Sequence, residues 1–260
     1  MALSNIDSFR RTDSAAAALR PGYLFLLLAV FLSVQAPVAS TQDSQLPILR
    51  AVEAKYRKAT RLQATFLERY FENGSLIRAE SGVAYFRKPG KMRWEYQSPE
   101  KNLFLVDGKN AWFYTPVDHT ATRIPARQSD DWRTPLALLA GEGKLSRVCD
   151  RVLPAKIPTL PETNLSAATG TGFECILKDS TQTVTGDSRG ETATRVYLEI
   201  SYKGELSRVL IQASGSLQTE FRFKDWEVNP ALAEAMFRFS PPPGVVIVDG
   251  LLPSSPSVRQ

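Results

Sequence analysis

One stretch of this 260-residue chain spells a catalytic motif: Gly186, Ser188 and Gly190 fall at the G-x-S-x-G spacing. That spacing lifts a nucleophilic serine onto a sharp turn between an apolar strand and a helix. Here the flanks, Thr181 to Thr185 and Glu191 to Thr194, are polar and threonine-rich. Enzymes built on that turn place their histidine after the serine, whereas the single histidine, His119, lies upstream. A Gly-Ser hairpin loop is the better reading. His119 cannot build a multi-histidine metal site by itself, and Cys149 and Cys175 lack metal-ligand spacing. A Cys–His dyad remains an alternative that no flanking sequence supports. The pair Asp130 and Asp131 sits in polar sequence and reads as solvated surface. No phosphate-binding loop or dinucleotide fingerprint occurs. Groups that could do chemistry are scarce while 43% of the residues are hydrophobic, so the sequence points to binding rather than catalysis. No cofactor and no metal are expected.

The elements that would shape a binding surface run from Gly82 to Leu139. Pro89-Gly90, Ser98-Pro99, Asp107-Gly108 and Pro116 break this stretch into short strands. Between the breaks lie Tyr85, Phe86, Trp94, Tyr96, Phe104, Trp112, Phe113 and Tyr114. From Lys91 to Gln97 the alternation sets Met92, Trp94 and Tyr96 on one face. Leu103 to Val106 is continuously apolar, so its inward side is ambiguous. So many aromatics on adjacent antiparallel strands predict a strongly curved sheet with a large apolar face. Thr134-Pro135 then opens a short apolar helical turn, Thr134 as its cap. A curved sheet and a short apolar helix together make a container with a lid.

The rest of the chain fits that frame. Asp43 to Arg61 carries Leu46, Leu49, Val52, Tyr56 and Ala59 at helical spacing. Strands are expected at 63–71 and 76–86 around Asn73-Gly74, a strong hairpin turn. Further strands are expected at 110–114, 120–124, 173–177, 194–202, 205–214 and 217–228. The stretch 154–172 is rich in Pro, Thr and Ser and reads as a mobile loop. Asn229 with Pro230 predicts a capped short helix, 237–239 a final strand, and 245–248 an edge segment. Residues 251–260 read as a disordered tail.

The first 40 residues read as a secretory signal: Arg10, Arg11 and Arg20, then an apolar run from Tyr23 to Val34, then small residues up to a cleavage point near Ser40. That run is shorter than the ~20 residues of a membrane span. The alternative is an uncleaved anchor. No cysteine near the cleavage point offers a lipid attachment site. The working domain is therefore placed at 41–250. The charge of +5 at pH 7 would raise nucleic acid as a partner in a cytosolic protein. An exported protein rarely meets it, and mild positive charge there faces anionic lipid or an acidic partner. Export also puts Cys149 and Cys175 in a compartment that permits disulfides. A bridge closing the Pro-rich loop and two buried free thiols both remain open.

Three runs resemble one family. F-R-K-P-G-K-M-R-W-E-Y (86–96), the segment from Leu105 through Tyr114 to Pro116, and Thr134-Pro135-Leu136 with the leucines up to Leu139 are similar to periplasmic outer-membrane lipoprotein carrier proteins. The ending from Phe237 to Asp249 is similar too. The resemblance implies a mainly β fold: an incomplete, strongly curved antiparallel β-barrel with an N-terminal helix and short lid helices over an apolar cavity. It implies a monomeric periplasmic carrier, not an enzyme, that shields lipoprotein acyl chains between the inner and outer membranes. Its partners would be an inner-membrane lipoprotein-releasing transporter and an outer-membrane lipoprotein acceptor. Met92, Trp94, Tyr96, Leu136 and Leu139 would line the cavity. Lys88 stands where the family has an arginine that latches the lid by bonding its backbone carbonyls, and lysine lacks that planar fork. The alternative reading on the same fold is a lipid-sensing or lipoprotein-sensing interaction protein of the envelope.

Overall fold

Alternation dictates the central strand. Leu62, Ala64 and Phe66 are buried on one side of β1 (Arg61–Glu72) and flank half-exposed Arg61, Gln63 and Thr65. Asn73 (φ 49°) and Gly74 (φ 80°) then make a two-residue turn in the left-handed region. This turn suits the twist of a hairpin, so β2 (Ser75–Arg87) returns along β1. The chain continues through β3 (Lys91–Ser98), β4 (Leu103–Val106), β5 (Asn110–Thr115), β6 (Thr120–Pro125), β7 (Cys149–Pro154), β8 (Gly170–Leu177), β9 (Arg195–Ser201), β10 (Leu206–Gln212), β11 (Leu217–Val228) and β12 (Val246–Asp249). One helix, α1 (Leu46–Lys58), precedes them. The computed structural model describes residues 46–126, 139, 145–147, 149–160, 170–177, 194–213 and 216–250. The expected leader up to Ser40, the expected turn at Thr134 with Leu136, the Ser188 motif and the expected tail after 250 lie outside them.

All twelve strands form one sheet in the order β12-β6-β5-β4-β3-β2-β1-β11-β10-β9-β8-β7. Its two edges, β12 and β7, do not pair with each other, so the curved sheet is an open barrel. Every pairing is antiparallel except β12 with β6. The concave face carries one continuous core, from Leu49, Val52 and Tyr56 of α1 across Phe66, Phe86, Trp94 and Phe104 to Phe173, Leu198 and Val209. A disulfide joins Cys149 to Cys175, ties β7 to β8, and spans 26 positions of sequence. Closing a loop of that size stabilises the fold by about 3 kcal/mol.

The convex face has a smaller core. Phe71, Tyr197 and Leu210 are covered by Ile157 and Leu160. Thus the first part of the loop expected to be mobile, 155–160, is instead a strap anchored by two buried side chains. Gly172 makes room for it: a Cβ there would meet the Ala155 carbonyl oxygen at 2.3 Å and Ile157 Cγ1 at 2.9 Å. Beside this strap lies fully buried Glu220, which accepts from Arg69 Nε at 2.7 Å and from Arg208, with Arg222 at 3.3 Å. Burial alone would push the Glu220 carboxyl up, but Arg208 and Arg222 outweigh it and hold the group below its ordinary range.

Two expectations near the C-terminus are corrected. Asn229 caps no helix. Its side-chain oxygen accepts from Thr60 N at 2.8 Å and Arg61 N at 3.2 Å, pinning the end of β11 to the junction of α1 and β1. The helical turn begins later, at Glu234, and Phe237 closes that 3-10 turn rather than opening a strand. Fully buried Phe237 is an anchor, and turn geometry delivers it inward where a strand would have alternated.

Candidate functional site

Helix α1 places Leu49, Val52 and Tyr56 one turn apart, so all three face the sheet. Opposite them, β9 offers Leu198 and Ile200, and β10 offers Leu206 and Val209. Helix and strands do not close completely on each other. A cleft of about 400 Å³, measured out to its open mouth, remains between them, bordered also by Leu139 and Leu145. The lining is aliphatic apart from Glu53 and Tyr56.

Both polar groups are committed to holding the walls. Glu53 Oε1 accepts the backbone N–H of Leu145 at 2.8 Å. The Tyr56 hydroxyl accepts the Leu206 N–H at 2.9 Å, and burial pushes its pKa well up, keeping it neutral. Lys55 adds a 3.0 Å ion pair to Glu205. The cleft therefore presents a mainly apolar surface with the Glu53 carboxylate tied to its wall, an arrangement that suits hydrocarbon.

The expected lining residues divide between two places. Leu139 borders the cleft, while Leu136 lies outside the described residues. Met92, Trp94 and Tyr96 do share the concave face, but they sit in a filled aromatic block beside the cleft. Trp94 is fully buried, with ring centroids of Phe66, Phe86, Phe221 and Phe223 at 4.8–6.1 Å. Tyr96 donates its hydroxyl to buried Glu68 at 2.8 Å. A wall separates block from cleft: Tyr56 meets Trp226 at 5.4 Å, and Trp226 meets Phe223 at 5.5 Å.

Lys88 binds backbone carbonyls at a helix end. Its ammonium donates to the carbonyls of Tyr56 (2.6 Å) and Arg57 (3.1 Å), the last turn of α1. The segment after Leu139, where the latch was expected, lies outside the described residues. The placement of Lys88 is local: Lys88 N bonds Thr60 O at 3.0 Å, which sets the residue directly beside a helix end whose carbonyls lack intrahelical partners. Burial, and then Arg57 nearby, lower the lysine's pKa.

The sequence reading missed Leu198, Ile200, Leu206 and Val209. A signal for them existed. The stripe Leu49, Val52, Tyr56 needs an apolar partner face, and 195–201 and 206–212, around Lys203-Gly204, each carry four hydrophobic residues in seven. Tertiary pairing of helix and hairpin was the missing step.

Comparisons with known proteins follow the same lines. A family described as outer membrane lipoprotein carrier protein LolA matches residues 57–155. Another, described as a predicted periplasmic protein, matches 205–249. An outer-membrane lipoprotein carrier protein of Dechloromonas aromatica is 32% identical over 222 residues, covering 83% of this chain and 97% of its own. One of Nitrosomonas europaea is 28% identical over 228 residues, covering 86% and 97%. A solved structure of an uncharacterized conserved protein from Thermus thermophilus aligns over 80% of this chain and 99% of its own, with a TM-score of 0.45 and 17% identity.

Proposed function

The chain belongs to the outer-membrane lipoprotein carrier protein family, and from that premise we propose that it carries lipoproteins by shielding their acyl chains in the cleft beneath α1. The observation that carries this reading is the aliphatic lining of that cleft, from Leu49 and Val52 to Leu206 and Val209. Each methylene removed from water contributes ~0.8 kcal/mol, so an acyl chain in water aggregates or returns to a membrane. A carrier lowers that cost and must still let go. Nothing in the cleft can use a nucleotide or a covalent bond to drive release, so transfer runs down a gradient of affinity between partners.

In the finer form of the proposal, a leader ending near Ser40 delivers the chain to the periplasm. An inner-membrane transporter loads it, and an outer-membrane acceptor unloads it. The chain works as a monomer without catalysis. Two measurements test this. A fluorescent long-chain fatty acid should bind the purified protein and alter emission from Trp226, the tryptophan beside the cleft wall. Depleting the protein in its host should leave lipoproteins in the inner membrane. Unchanged lipoprotein distribution would discard the shuttle, and absence of acyl binding would discard the carrier.

A further inference from the structure

The sheet is charged differently at its two ends. Strand β1 leaves α1 at Arg61, opposite Arg87 at the end of β2 and so level with the turn into β3. The β4–β5 turn follows at the same end, since Met92 pairs Val106 and Val106 pairs Ala111. So does the β9–β10 turn, since Leu62 pairs Val228 and β10 starts where β11 finishes. This end therefore gathers the last turn of α1 and three hairpin tips. On it Arg57, Lys58, Lys109 and Lys203 are exposed. Tyr202, at the β9–β10 tip, is 83% exposed, with the Lys203 ammonium 5.9 Å from its ring.

Several acids of this end are already engaged. Glu205 pairs with Lys55, and Glu234 with Lys91 and Arg87. Asp107 accepts two backbone N–H bonds and the Trp112 indole N–H. Asp225, Glu227 and Asp249 are its exposed acids, and Asp249 is paired with Arg123. The opposite end presents exposed Glu72, Glu100, Asp118 and Asp150 against exposed Lys101, Arg151 and Arg195, with Arg151 paired to Asp150, and so lacks the cationic excess of the first end. Such polarity orients a molecule in the field of a charged surface.

We propose that this hairpin-tip end docks on an anionic bilayer surface, with Arg57, Lys58, Lys109 and Lys203 over the headgroups and Tyr202 at the interface. The cations sit on separate tips and a helix end, with no groove among them, so they suit a diffuse negative plane better than a shaped acidic protein. An unpacked tyrosine beside a lysine matches the interface, where its ring and hydroxyl are both satisfied. The inference goes beyond the carrier reading and stands without it.

The test is co-sedimentation of the whole chain, without lipoprotein, on vesicles of phosphatidylcholine alone or mixed with phosphatidylglycerol. Binding should appear only with phosphatidylglycerol and fall with added salt. Lys58→Gln, Lys109→Gln and Lys203→Gln should each weaken it about fivefold, and Tyr202→Ser should weaken it further. Lys101→Gln, an exposed lysine at the opposite end, should leave it unchanged. Equal binding to both vesicles, or equal loss in Lys101→Gln, would overturn the proposal. So would binding of these variants' parent to polyglutamate with none to vesicles, which would assign the end to an acidic protein. Acyl binding in the cleft is measured separately, so either idea can fail alone.

Discussion

Around Trp94 the concave face is aromatic and filled; beneath α1 it is aliphatic and leaves a cleft. Both regions lie in one continuous core, yet they differ in how the side chains meet. Phe66, Phe86, Phe221 and Phe223 surround Trp94, three of them edge-on within 6 Å, the arrangement aromatic quadrupoles favour. Such rings pack closely, though the buried Trp94 indole N–H meets no hydrogen-bond partner among the described residues. Under α1 the helix stands off the β9–β10 hairpin, and Leu49, Val52, Leu198 and Val209 face the gap. Branched aliphatic side chains offer hydrocarbon without a preferred ring geometry, which suits a flexible acyl guest. The comparison teaches that the most aromatic stretch of a sequence and the lining of this cleft need not coincide. Rings build the support, and the cleft opens where the packing is less specific.

The largest effect should come from breaking the support. Trp94→Ala removes the centre of the aromatic block and should destabilise the protein by ~3–5 kcal/mol. Acyl affinity of the molecules that remain folded should change less than threefold, because Trp94 does not border the cleft. Chemical denaturation and a fatty-acid titration give the two numbers. A binding loss that exceeds the stability loss would move the ligand into the aromatic block.

Next is the support that both regions share on the convex side. Strand β11 turns Phe221 and Phe223 inward to the block and Glu220 outward to Arg69 and Arg208, while β10 turns Val209 inward to the cleft. The native carboxyl of Glu220 titrates below its ordinary range. Its contribution is therefore complete above the unfolded carboxylate pKa and is lost as pH falls through the lower native value. Stability should decline on acidification in one transition seen alike by block and cleft. Glu220→Gln should cost about 1.5–3 kcal/mol at neutral pH and flatten that decline. Two separate melts would show that the regions are independent units.

Much of this was legible beforehand. Turn signals at Asn73-Gly74, Pro89-Gly90, Asp107-Gly108 and Lys203-Gly204 marked the hairpins, because those residues accept backbone angles that others resist. Period-two alternation assigned Met92, Trp94 and Tyr96 to the concave face. The division of that face into block and cleft was not legible, since alternation gives a side and not a neighbour. The strap at 155–160 looked like a loop because Ile157 and Leu160 are isolated in a Pro-rich and polar stretch, and only the convex-face cluster of Phe71, Tyr197 and Leu210 gives them partners. Lys88 was recognised by its place before Pro89. Its target depends on where α1 ends, which no local pattern states.

A third change should sharpen the comparison from the side of the cleft. Leu49→Trp pushes an indole into the cleft from a buried position in its wall. Overpacking should cost about 1–3 kcal/mol of stability, while affinity for a long-chain fatty acid falls about tenfold, or ~1.4 kcal/mol. The same probe should bind Leu49→Ala at least as well as the parent. Unaltered affinity in Leu49→Trp would show that the acyl chain lies elsewhere.

The smallest effect should come from the hinge of the cleft. Lys88 holds the Tyr56 and Arg57 carbonyls at the end of α1, and Tyr56 is also the wall between cleft and block. Lysine brings a rounded ammonium whose donors rotate freely, so each bond fixes side-chain freedom that the planar guanidinium of arginine would not lose. These carbonyls are only partly shielded, so Lys88→Ala lets water replace the ammonium and should cost only about 0.5–1 kcal/mol. That cost falls on α1 rather than on the sheet. Amides of 52–58 should exchange hydrogen faster, while those of β1 and β11 keep the parent's rates. A helix that leaves the β9–β10 hairpin more often should admit acyl ligands faster, so the association rate rises. Lys88→Arg should do the reverse, because its fork can engage both carbonyls together. The block around Trp94 should be indifferent to both changes, with near-ultraviolet dichroism of its aromatics unaltered. Exchange that quickens equally in α1 and in β1 would mean that Lys88 supports the whole fold, and the cleft would then have no hinge at this end.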